Sequence, residues 1–165
     1  RIEDILMNDV NWYGFDNINR NHVDVLINFA HNDFDQTKIL AIAHEAWRYD
    51  KTKQIINFSS RASQPNISKG YLYAAQKSSL NHLSNNLTYN SEKRYKLTTI
   101  NLGLLNHEEI PSLTSQDVAN VCYYLITAHP SIEIPEITIQ AHANYQEVQS
   151  LKETIKQYGM MIPNY

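Results

Sequence analysis

Short apolar runs alternate along the chain with longer stretches in which apolar residues recur every three or four positions. Residues 23–30, Val-Asp-Val-Leu-Ile-Asn-Phe-Ala, are rich in β-branched side chains and too few for a stable helix, so they predict a strand buried on both faces. Residues 37–49 carry Ile39, Leu40, Ala43 and Trp47 at helical spacing and predict a helix with one face against a sheet. A second buried strand is expected at 53–58, ending at Ser59-Ser60. After a loop with Pro65, Asn66 and Gly70, residues 71–89 predict a helix whose buried stripe is Leu72, Ala75, Leu80, Leu83 and Leu87.

A third strand is expected at 95–101. Ser115-Gln116-Asp117 then reads as a helix start ahead of Val118, Val121, Cys122 and Leu125, with Pro130 as its stop. A fourth strand is expected at 136–140, and the polar stretch 147–158 predicts a helix with a thin apolar face, ending at Gly159 and docking on a partner or fraying. Strand alternating with helix at these lengths marks βαβ units, hence an α/β fold with a parallel sheet and helices on both sides. The length suits one domain over residues 1–142, followed by a helical tail over 143–165.

Composition narrows the classes of partner. Fourteen basic against 17 acidic residues give a formal net charge of -3, without the positive field that phosphate backbones attract, so nucleic acid is not expected. No apolar run reaches the roughly 20 residues that cross a bilayer, and the first residues do not resemble a secretory signal, which points to a cytoplasmic location. The lone Cys122 sits in an apolar run and reads as a core thiol rather than a nucleophile. Seven histidines show no His-Glu-x-x-His spacing, so no metal site is expected. With only 4 glycines and Arg at the first position, the chain reads as a fragment or a processed product.

The chemistry is carried by Tyr73-Ala74-Ala75-Gln76-Lys77, in which a phenol and an ammonium lie four residues apart and project from nearly one face of a helix. A free phenol loses its proton near pH ~10, and an adjacent cation favours the phenolate, which makes such a pair an acid/base suited to neutral pH. Alone, the spacing is weak, because many surface helices contain it. Ser60, however, precedes it at the carboxyl end of a strand, the edge where open parallel sheets collect ligands, and its hydroxyl can hydrogen-bond a substrate carbonyl there.

The stretches Ile55-Ile56-Asn57-Phe58-Ser59-Ser60 and Tyr73 to Leu80 resemble the active-site strand and helix of the short-chain dehydrogenases/reductases. Asp24 to His31 is similar to that family's Asp-Val-Leu-Val-Asn-Asn-Ala-Gly strand, and Thr99-Ile100-Asn101-Leu102-Gly103 to its Asn-x-x-Pro-Gly turn. The resemblance implies a partial Rossmann-like, doubly wound sheet that lacks the family's N-terminal strands. It implies an NAD(P)-dependent oxidoreductase acting between nicotinamide and a small carbonyl or alcohol, with NAD or NADP as cofactor. Tyr73 would be the acid/base, Ser60 the carbonyl orienter, and Lys77 the cation that supports Tyr73 and binds the nicotinamide ribose. Asn28, Ala30, Tyr73 and Gly103 would line the cofactor beside Lys77, and Asn32 or Asp33 would hold a proton-relay water. The helices at 37–49 and 71–89 would form a homodimer or homotetramer interface.

Departures from the pattern matter too. His31 stands where the family has glycine, Phe29 where it has asparagine and Leu102 where it has proline. No Gly-x-x-x-Gly-x-Gly loop is present to bring backbone amides to a pyrophosphate, and the strand at 23–30 would lose its neighbour, so the chain alone would be either unstable or completed by a missing N-terminal piece. The rival reading is a degenerate or truncated relative that binds no nucleotide and serves as an interaction or structural subunit.

Overall fold

The computed structural model of the chain describes residues 23–29, 32–65, 70–143 and 145–157. Ala30, His31, Asn66 and Gly159, named above, lie outside the described residues. Four strands, β1 (Val25–Asn28), β2 (Gln54–Ser60), β3 (Lys96–Leu102) and β4 (Glu136–Ile139), form one parallel sheet in the order β1-β2-β3-β4. Between and after them run α1 (Asp35–Trp47), a short 3-10 turn (Arg61–Ser63), α2 (Tyr71–Asn90), α3 (Ser115–Thr127) and α4 (Tyr145–Gln157). This is the α/β alternation that the hydrophobic pattern predicts.

The two inner strands are buried almost throughout, and their alternating side chains feed two separate cores. On one face, Ile55 and Leu97 pack with Leu40, Ala43 and Trp47 of α1 and with Leu80 and Leu87 of α2. On the other, Ile56, Phe58, Ile100 and Leu102 pack with Val118, Cys122 and Leu125 of α3. Burial pushes the Cys122 thiol up to about 11, in keeping with a core thiol. Thr114 caps α3 rather than Ser115: its Oγ1 accepts from the Asp117 amide at 3.2 Å while the Asp117 carboxylate accepts from the Thr114 amide at 2.8 Å.

Two expectations need correction. β1 was expected to be buried on both faces, but it has one strand neighbour among the described residues; Asn28 is buried while Ile27 is 36% exposed. In α2 the buried stripe is Gln76, Lys77, Leu80, Ser84 and Leu87, and Leu72 is 62% exposed. Among the described residues the apolar cluster on this face takes its first α2 member at Leu80, two turns beyond Leu72.

Helix placement also decides where a cleft can form. The strands follow one another in a single direction across the sheet, yet α1 and α2 lie on one face and α3 on the other. The β3-to-β4 crossover therefore has the opposite hand to the first two, against a right-handed preference of about 98%. To change face, residues 103–114 must pass over the carboxyl end of the sheet. That connection is pinned by Asn106 N donating to Leu113 O at 2.8 Å and Leu113 N to Leu104 O at 2.9 Å.

Candidate active site

β2 ends at Ser60, whose Oγ accepts a 3.1 Å hydrogen bond from the Ala62 amide and so starts the 3-10 turn. A hydroxyl that accepts in this way keeps its own proton to donate. Tyr73 sits half-buried in the first turn of α2. One turn on, the Lys77 ammonium lies 5.6 Å from the centre of the Tyr73 ring, within reach of a cation–π interaction. Ser60, Tyr73 and Lys77 all line one cleft of about 550 Å³ at the carboxyl ends of β2 and β3, and Gly103 and Phe29 line it as well. The volume lies in the range of sites for small molecules and cofactors.

Lys77 is 5% exposed, and burial pulls its ammonium down to about 8. Nζ donates to the Phe58 carbonyl at 3.1 Å and to Gln36 Oε1 at 2.6 Å. An ammonium has three protons, and its partners among the described residues take two of them, which leaves one for the cleft. Gln36, in the first turn of α1 and 4% exposed, also donates through Nε2 to Asn28 O at 2.8 Å and to Phe58 O at 2.9 Å. Its amide thus ties the ends of β1 and β2 together and presents an oxygen to the lysine.

Sequence reasoning missed Gln36. The structure brings that residue to Lys77, not Asn32 or Asp33: the Asn32 amide donates to Asp35 Oδ2 at 2.9 Å, and Asp33 Oδ1 accepts from Gln76 at 3.4 Å. A glutamine in a first helical turn reads as surface, and only the lysine of another element makes it a core group. Asn28 is buried behind the cleft wall rather than lining it, with Nδ2 donating to Gln36 O at 2.8 Å and Asn57 Oδ1 at 2.9 Å. Ala30 lies outside the described residues.

Gly103 lines the cleft where the chain leaving β4 comes close to it. A Cβ there would sit 2.9 Å from the Gln140 Cβ and 3.1 Å from its Cα, and the Gly103 amide donates to Ile139 O at 2.8 Å. Gly103→Ala must therefore push β3 and β4 apart at their carboxyl ends. The expected cost is about 1–3 kcal/mol, read as a lowered urea midpoint with an unchanged slope.

The far wall comes from the tail. Val148, Gln149 and Lys152 of α4 line the cleft, and Ile155, one turn further along the same helix, is 5% exposed. The tail helix docks on its own domain, which its thin apolar face did not disclose.

Comparison with solved structures bears on this fold. Serine dehydrogenase from Escherichia coli superposes with a TM-score of 0.61 at 18% identity, over 74% of this chain and 66% of that one. A closed form of serine dehydrogenase complexed with NADP+ gives 0.61 at 15% identity, over 87% and 73%. A metagenomic short-chain oxidoreductase in complex with NADP gives 0.57 at 19% identity, over 86% and 67%. The chain shares the fold of short-chain dehydrogenase/reductase structures and spans 66 to 73% of the length of these three. No family model matches the chain, and no curated protein matches it.

Proposed function

We propose that the chain is the catalytic portion of an NAD(P)-dependent oxidoreductase that interconverts a carbonyl and an alcohol. One observation carries the reading: Ser60, Tyr73 and Lys77, from β2 and α2, line a single cleft at the carboxyl end of a parallel sheet. Such an edge is where open α/β sheets bind ligands. The donor set suits a nicotinamide nucleotide, because Lys77 offers its third proton to a ribose hydroxyl beside the phenol. When bound, the cofactor supplies the hydride chemistry.

The protein supplies the proton and its placement. Ser60 donates to the substrate carbonyl oxygen and holds it toward Tyr73. Tyr73 gives that oxygen its proton on reduction and takes it back on oxidation. The Lys77 cation favours the phenolate that forms in the first case, and Gln36 with the Phe58 carbonyl fixes the ammonium in place. Turnover of a panel of short ketones and aldehydes with NADPH or NADH, followed as loss of reduced-nicotinamide absorbance, tests the reading. Turnover that Ser60→Ala abolishes supports it; a folded chain that binds neither nucleotide supports the interaction-subunit reading instead.

The lysine sets a pH limit. Its folded value of about 8 lies below the usual lysine value, so the cation is lost as pH rises through 8. Steps that need a charged Lys77 should decline on that alkaline side. Nuclear magnetic resonance titration of isotope-labelled lysine side chains should show one midpoint near 8; a Lys77 signal that titrates with the surface lysines contradicts the buried geometry.

A further inference from the structure

Beyond Lys77, two further cations reach the cleft. Arg61 follows Ser60 directly, and Lys152 faces in from α4, while no Asp or Glu lines the cavity among the described residues. Acidic residues outnumber basic ones over the chain, 17 to 14, so a lining with three cations and no carboxylate runs against the overall balance. Among the described residues, Arg61, Lys77 and Lys152 form no ion pair. Arg61 is half-buried, and its Nη1 donates to Gln140 Oε1, a neutral acceptor beyond β4. A guanidinium has five N–H donors, so this bond aims the group without neutralising it or filling it. Half-buried cations gathered in one cleft without a carboxylate partner favour an anion, and a planar guanidinium suits a carboxylate through two parallel hydrogen bonds.

We infer that the cleft selects substrates carrying a carboxylate, short oxo or hydroxy acids, with Arg61 gripping the carboxylate and Lys152 adding charge from the tail helix. The inference rests on the dehydrogenase reading for which carbon reacts. Ser60 and Arg61 both line this cleft of about 550 Å³, so a short acid can present its reacting oxygen to one and its carboxylate to the other. α4 then becomes part of substrate recognition rather than an appendage. A cofactor phosphate offers the same anionic chemistry, so the test must separate the two sources.

Ligand-observed magnetic resonance titration of the full chain with acetoacetate and other short oxo acids, each against its primary amide, reads the preference directly, and nicotinamide fluorescence in the same samples reads nucleotide binding. The expected result is that acids bind about tenfold more tightly than amides, that Arg61→Gln removes the difference and that Arg61→Lys partly restores it, with the NADPH response unchanged. Lys152→Gln, on a different element, should reduce the preference without touching the turn after β2. Equal binding of acids and amides, or absence of both from a chain that binds NADPH, overturns the inference. So does a loss confined to NADPH in Arg61→Gln, which would assign the cation to the cofactor. Acid preference without any nucleotide signal would sink the dehydrogenase reading and leave the anion site standing; absence of every signal sinks both.

Discussion

Replacing Tyr73 with Phe should lower kcat about a thousandfold while leaving nucleotide affinity nearly unchanged. The substitution removes one oxygen from a half-buried ring in the cleft and keeps the ring under the Lys77 ammonium. Packing and the cation–π contact survive; the transferable proton does not. General acid–base groups contribute roughly 10²–10⁴ in rate, so a loss of that size with a constant KM marks a group that acts on the reacting oxygen. Tyr73→Phe with full turnover would remove the phenol from the reaction.

Gln36→Leu should destabilise the fold by about 3 kcal/mol, more than most single changes at a helix start. Leucine nearly matches the volume but takes away one of the two acceptors of the buried Lys77 ammonium, the Gln36 donor to the Asn28 carbonyl and one of the two donors to the Phe58 carbonyl. Leaving a buried donor, acceptor or charge unpaired costs about 1–3 kcal/mol each, with partial relief from relaxation and water. Adding Lys77→Met should return much of the loss, because the pair then leaves no buried charge behind. Additive losses in the double-mutant cycle would mean the two side chains do not support each other.

What could be read in advance follows the range of the forces involved. β2 and β3 are buried on both faces and declare themselves as apolar runs, and Ser60, Tyr73 and Lys77 lie close enough along the chain for their spacing to be recognised. Periodicity failed at α2 because Gln76, Lys77 and Ser84 turn inward and Leu72 outward. Those polar groups are held by partners far along the chain: Ser84 by Asn57, Gln76 by Asp33, Lys77 by Gln36. A hydrophobicity pattern assigns polar residues to water and cannot see a hydrogen bond across 41 positions. The cleft's outer wall was hidden for the same reason, since Gln140 and Lys152 come to line one cleft with Arg61 only after the strands have been laid side by side. Gln36 is the clearest case: unremarkable in sequence, it joins two strands and the one lysine the chemistry needs.

Titration of the intact chain with NADPH and NADH, following nicotinamide fluorescence, reaches the central assignment most directly. A saturable rise that Lys77→Met weakens, in a variant whose circular dichroism shows it still folded, is the expected outcome. A flat response from the folded wild-type chain to both nucleotides would contradict it.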